Sequence, residues 1–240
     1  MNQKPIYFSV FVMTLFTFFS CQYVSFLNKS TLNLNKYDGS YSIAFTCGDI
    51  CMANAIIEIT DGKIDGEVNN IKQQSFLVIG YAENTGDLQL QSISENSEEI
   101  IEANGSINSD SIVSGTYSVG DRSCKMFGFR YTRDKDEVVK KYDGIYELEL
   151  TRAGKKVDTI QIQIQNGLFH SNVTTSTNIT YQVNGNISQN GHIIANTLFS
   201  NKDKGLTVIG SIQENGTISG DYYKNPGVKG EFFGKKIIDN

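Results

Sequence analysis

The 240-residue sequence predicts an all-β protein: two tandem antiparallel meander units, each a small eight-stranded up-and-down barrel. Three observations point there. Residues 37–131 recur almost without a gap as residues 142–236, an offset of 105 positions. Within each copy short runs alternate apolar and polar side chains, most plainly in Ile160-Gln161-Ile162-Gln163-Ile164-Gln165, which is the period of a half-buried strand. A composition of 22 Gly, 2 Pro and no Trp suits many short strands joined by turns.

From the amino terminus, Lys4, an almost unbroken apolar stretch from Ile6 to Phe19 and then Ser20-Cys21 read as an export signal, too short for a stable membrane span. The closing Phe18-Phe19-Ser20-Cys21 resembles the lipobox of bacterial lipoproteins. That resemblance implies a signal peptide over 1–20, cleavage before Cys21, acylation of Cys21 and a tether over 21–36. Each buried methylene of an acyl chain contributes about 0.8 kcal/mol, so several chains together hold a soluble body at a membrane. The expected location is therefore the cell envelope, lipid-anchored at the outer membrane; the alternative is an ordinary signal peptide and a secreted product.

The repeat spans 37–131, the mixed-charge segment 132–141 links it to its copy, and the copy occupies 142–238. Tyr37-Asp38-Gly39-Ser40-Tyr41 answers to Tyr142-Asp143-Gly144-Ile145-Tyr146, and Gly105-Ser106-Ile107 to Gly210-Ser211-Ile212. Ser114-Gly115 answers to Ser219-Gly220, and Phe127 to Phe232. Shared glycines and apolar residues point to a common backbone. In the first copy the runs are about 37–46, 55–60, 63–69, 75–82, 87–93, 98–107, 111–118 and 124–131, with turns such as Asp61-Gly62 and Asn84-Thr85-Gly86 between them. A solvated linker between two independent units predicts that they move relative to one another.

Eight consecutive strands with one apolar face bury it by curling, and closure removes both exposed edges. The inward set predicted for the first unit is Tyr41, Ile43, Phe45, Ile57, Ile59, Ile64, Val68, Phe76, Val78, Leu88, Leu90, Ile101, Ile107, Val113, Tyr117, Phe127 and Phe129. Gly66, Gly80, Gly105 and Gly115 fall in phase with it, where a missing side chain lets a strand coil. A two-sheet β-sandwich is the alternative architecture. Strand number and order resemble the calycin class of lipocalin- and avidin-type barrels, which implies the fold and, more remotely, a carrier of small hydrophobic ligands.

Beyond Cys21 three cysteines remain, all in the first copy: Cys47, Cys51 and Cys124. Cys47 ends the first run and Cys124 opens the eighth, and an up-and-down meander places both at one rim of adjacent strands. A Cys47–Cys124 bond across that seam is worth roughly 4 kcal/mol in the chain-entropy model. Cys51–Cys124 is the runner-up, and Cys47–Cys51 closes only a local turn. A metal reading of these cysteines lacks a fourth ligand, because no histidine lies in this unit.

Candidate chemistry is sparse, and no metal or cofactor is expected. His170 and His192 stand where the first copy has Asp65 and Asp87, so both are expected at strand or turn surfaces. No phosphate loop, dinucleotide fingerprint, nucleophile elbow or metalloprotease motif occurs. A formal charge of −5 without a basic cluster argues against nucleic acid. The duplicated acids Asp38 and Asp143 read first as Asp-Gly turns. Paired with Tyr41 and Tyr146 at a barrel floor, they are the candidate ligand-binding residues. The expected function is thus a membrane-tethered, non-enzymatic binding or interaction module with a protein or small-molecule partner. The alternatives are a hydrophobic-ligand carrier, an envelope hydrolase or an enzyme inhibitor. Bulky inward Tyr and Phe favour filled interiors.

Overall fold

The computed structural model describes residues 35–70, 74–93, 102–119, 121–131, 140–174, 180–197, 206–224 and 227–238. The export signal, Cys21 and the tether as far as residue 34 lie outside the described residues, as do Ile101 and residues 132–139 of the connector.

The first barrel runs β1 (Gly39–Cys47), β2 (Ile50–Thr60), β3 (Lys63–Asn70), β4 (Ser75–Ala82), β5 (Asp87–Ile93), β6 (Glu102–Ile107), β7 (Ile112–Val119) and β8 (Arg122–Tyr131). The second runs β9 (Gly144–Arg152), β10 (Lys155–Gln165), β11 (Leu168–Thr174), β12 (Thr180–Ile187), β13 (His192–Thr197), β14 (Leu206–Ile212), β15 (Thr217–Lys224) and β16 (Val228–Ile238). Consecutive strands pair antiparallel, and β1–β8 and β9–β16 close the two barrels, which removes the sandwich alternative. β2 starts at Ile50, earlier than the alternation suggested, because Gly48-Asp49 is a two-residue turn. Cys51 is therefore a strand residue.

We call the rim at which the chain enters and leaves each barrel the lower rim. Its turns are tight. Asp61 and Gly62 take φ of 51° and 75°, and Asn166 and Gly167 take 52° and 68°, the left-handed pair of a hairpin turn that matches strand twist. Inside the barrels glycine serves a second purpose. A Cβ on Gly80 lies 2.0 Å from the Gln89 carbonyl oxygen, so β4 approaches β5 that closely only without a side chain.

The interior of barrel one holds Tyr41, Ile43, Phe45, Ile57, Ile59, Ile64, Val68, Val78, Leu88, Leu90, Ile107, Val113 and Tyr117, as predicted, with Phe76 partly buried against them. Cys47 and Cys124 form the predicted disulfide, with Cα atoms 4.6 Å apart, and staple the β1–β8 seam at the upper rim.

Two expectations fail together in β8. Cys124 and Met126 point inward, whereas Phe127, Phe129 and Tyr131 lie on the outer face. The repeat also slips by one residue here. Met126 pairs with Gly115 while Phe232 pairs with Gly220, so the structural offset is 106 and Phe232 matches Met126, not Phe127. The extra residue sits in the β15–β16 turn: β7 ends at Val119 and β8 starts at Arg122, but β15 ends at Lys224 and β16 starts at Val228.

The outward aromatics are not wasted on solvent. Phe129 and Tyr131 form a buried cluster with Ala44 and with Ile194 of barrel two, flanked by Ile112, Phe127 and Ile209. Ser42 and Ala44 on the outer face of β1 are small and buried, which lets barrel two approach; their counterparts Glu147 and Glu149 are charged. Residues Asn35–Asn240 accordingly form one compact unit. The packed junction replaces the freely moving pair that the connector suggested, because apolar surface on both partners is removed from water there.

Candidate functional site

Asp38 and Asp143 have equivalent structural duties. The Asp38 carboxylate accepts hydrogen bonds from the amides of Asp61 (3.0 Å) and Gly62 (3.2 Å), and that of Asp143 from Asn166 (2.8 Å) and Gly167 (3.0 Å). Each acid thus ties the strand start to the neighbouring hairpin turn. Tyr41 and Tyr146 are fully buried, and each hydroxyl donates at 2.8 Å to the carbonyl four residues upstream, at Tyr37 and Tyr142. Burial pushes the Tyr41 phenol up to about 12. The structure does not join acid and tyrosine into one anchor; Tyr41 and Tyr146 sit in the scaffold, and Asp38 also borders the groove described below.

Among the described residues, the space left in barrel one between Phe45, Val68, Val78, Leu90, Ser92 and Ala103 is about 10 Å³, room for at most one water. Barrel two is packed by Tyr146, Ile162, Ile164, Phe169, Ile193 and Phe232 with their neighbours. Tyr117 keeps a buried hydroxyl without a partner, and burial pushes its phenol far up.

Two open spaces described lie between the barrels. At the lower rims a groove of about 910 Å³ is bounded on barrel one by Asp38, Ser40, Glu58, Asp110, Ser111 and Arg130. Ser188, Gln189 and Asn190, of the β12–β13 turn, bound it on barrel two. The Arg130 guanidinium donates to the Asp38 carbonyl at 3.2 Å, and its aliphatic stem crosses Gly39 so closely that a Cβ there meets Cδ at 2.9 Å. The Ser40 hydroxyl donates to the Glu58 carboxylate. These side chains come from strands and turns far apart in sequence, so no local motif announces the groove. A smaller groove of about 400 Å³ lies at the upper rims between Asp49 and the segments Thr151–Gly154 and Gly227–Glu231.

Both histidines can now be placed. His170 is exposed on β11 beside Asn184. His192 is half-buried at the start of β13: its ring lies at the junction, 6.2 Å from and stacked on Phe129 and 5.9 Å edge-on from Phe127. Burial lowers its pKa from 6.5, against the opposing pull of Asp110. A base depressed in the folded state contributes its full stability above about pH 6.5, and loses it progressively below, as the unfolded chain takes up the proton first. Urea midpoints measured from pH 8 to pH 5 are expected to fall below pH 6.5 for the wild type more steeply than for His192→Gln.

Cys51, the thiol left over, is buried in β2 where the outer face meets barrel two, 3.9 Å from Asn54 Oδ1. Asn54 in turn donates to Thr207 of β14 at 3.3 Å. Burial pushes the thiol up to about 11, which keeps it protonated and unreactive. Among the described residues no group of three or more His, Cys, Asp or Glu is arranged to hold a metal ion. No helix among them is long and apolar enough to cross a membrane.

No family model matches the chain, and no curated protein matches it. Three solved structures show some likeness. Burkholderia oklahomensis agglutinin is 8% identical, over 86% of this chain and 99% of its own, with a TM-score of 0.22. The Myxococcus xanthus hemagglutinin, solved in complex with a3,a6-mannopentaose, is 8% identical over 82% and 99%, with a TM-score of 0.19. Transferrin binding protein B of Haemophilus parasuis is 9% identical over 78% of this chain and 54% of that one, with a TM-score of 0.25.

Proposed function

We propose that this protein is an exported, lipid-anchored binding module of a bacterial envelope, without catalytic activity, and that the lower-rim groove between its barrels is the ligand face. The groove carries this reading. It is the larger of the two inter-barrel spaces described, whereas the void described inside barrel one has no room for the ligand of a calycin-type carrier, which needs several hundred cubic ångströms. Its lining offers hydroxyls, amides, carboxylates and one guanidinium, and is more polar than apolar, with Tyr131 beside them. Such a lining suits a polar ligand that presents many hydroxyl groups, a saccharide chain above all.

Export is supported by the Cys47–Cys124 bond, which forms and persists in oxidising compartments, and by the amino-terminal signal. Anchoring rests on the lipobox-like Phe18-Phe19-Ser20-Cys21. Labelled palmitate is expected to enter the wild type and not Cys21→Ser. A mature chain that begins downstream of residue 21 without lipid sinks the anchor and leaves the groove reading intact. For the groove, titration of saccharide fragments into the full chain is expected to shift amide resonances of Ser109–Ser111 and Gln189–Asn190. Asp110→Ala with Arg130→Ala should weaken binding at least about tenfold, about 1.4 kcal/mol. A lipophilic fluorophore that instead binds saturably within a barrel overturns the reading in favour of a carrier.

A further inference from the structure

The outer face of barrel one carries an apolar stripe that the fold does not require. On β4, Leu77, Ile79 and Tyr81 point outward and are 63%, 39% and 45% exposed, and Ile93 of β5, directly paired with Leu77, is 43% exposed. The duplication supplies an internal control. The equivalent positions on β12 are Gln182, Asn184 and Asn186, in the same register against β11 as Leu77, Ile79 and Tyr81 are against β3. One scaffold thus accepts polar side chains at these places, so the apolar ones in barrel one answer to something outside it. An exposed apolar row at a site where polarity is structurally free marks an interaction surface.

Charge says what kind of partner fits. Beside the stripe, on β3, stand Glu67 opposite Leu77, Asp65 opposite Ile79 and Lys63 opposite Tyr81, and Glu58 of β2 is paired with Asp65, so the flank carries three acids to one base. On the other side Gln89 and Gln91 of β5 are neutral. Barrel two has Gln163, His170 and Asn172 where barrel one has Glu58, Asp65 and Glu67. The contrast extends to the whole units. Residues 37–131 carry 14 acidic and 5 basic side chains, whereas residues 142–238 carry 8 and 9. The apolar stripe and the negative field therefore occur together in one copy and are both missing from the other.

We infer that the β3–β5 face of barrel one is a docking surface for a cationic amphipathic polypeptide, which lays apolar side chains along Leu77, Ile79, Tyr81 and Ile93 and basic ones against Glu58, Asp65 and Glu67. Electrostatic attraction steers the encounter and the apolar contact holds it. The face shares only Glu58 with the groove, and its test substitutes no residue that lines the groove and does not involve the anchor.

The test uses the full chain and two synthetic 18-residue amphipathic peptides, one of Lys and Leu and one of Glu and Leu, read by fluorescence anisotropy. The Lys/Leu peptide is expected to bind, to weaken as salt rises, and to exceed the Glu/Leu peptide at least tenfold. The informative variant grafts barrel two's residues onto barrel one, Leu77→Gln with Ile79→Asn and Tyr81→Asn. The sister barrel folds with those residues, so the graft is expected to keep the wild-type denaturation midpoint and to lose at least tenfold in affinity. The reverse graft, Gln182→Leu with Asn184→Ile and Asn186→Tyr, lacks the acidic flank and should confer no binding. The inference is overturned if neither peptide binds or if both bind equally. It fails also if the first graft leaves binding unchanged, since attraction is then by net charge alone.

Discussion

Replacing Cys47 and Cys124 together by Ala is expected to lower the stability of barrel one by about 4 kcal/mol, because the bond joins residues 77 apart in sequence and removes that loop freedom from the unfolded chain. Domains of this kind have only about 5–15 kcal/mol in total, so the loss is a large share. Reductant should reproduce the effect in the wild-type protein and have none on the double variant. Guanidinium melts with and without reductant check it, and an unchanged midpoint refutes it. Barrel two carries Arg152 and Gly230 at the corresponding sites and has no staple to lose.

Phe129→Asp is expected to open the junction. The side chain is fully buried against barrel two, and its replacement loses roughly 3–5 kcal/mol of packing and adds a carboxylate without a partner. Since Phe129 points away from the interior of its own barrel, both barrels should stay closed while their contact is lost. One cooperative unfolding transition should resolve into two, and small-angle scattering should show a larger radius of gyration. A variant that keeps a single transition and the wild-type radius removes the case for a coupled junction. Ile194→Asp, on the facing strand, should act in the same direction.

The same strand explains where reading the sequence stops. Most of each barrel was legible because one face is apolar and the other polar, as along Ile160 to Gln165, so period two fixes both the strand and its phase. In Cys124-Lys125-Met126-Phe127-Gly128-Phe129-Arg130-Tyr131 both alternating sets are largely apolar, so the alternation fixes no inside and no outside. Size alone favours the aromatic set for the interior, and the chance match of Phe127 with Phe232 points the same wrong way. The seam disulfide was legible because it follows from strand order alone. Asp38 and Asp143 could be read as turn residues, but not that each caps a different hairpin 23 residues on. The groove was hidden for a similar reason: it exists only where two surfaces, each ordinary by itself, come to rest against each other.

Eight is an even number, and that has a consequence for how such a protein can grow. A chain that makes an even count of up-and-down strands returns to the rim from which it set out, as Ser40 beside Tyr131 and Ile145 beside Ile238 display. A newly copied unit can therefore be spliced in with a short connector, without threading across a finished barrel. The start of the first unit and the end of the last remain on lower rims however many units intervene. A gene of this design can gain or lose whole modules by unequal crossing-over and still encode a protein whose first unit begins at the same rim. Each added module brings a fresh outer surface on which residues like Leu77 and Glu67 can diverge while the interior stays constant.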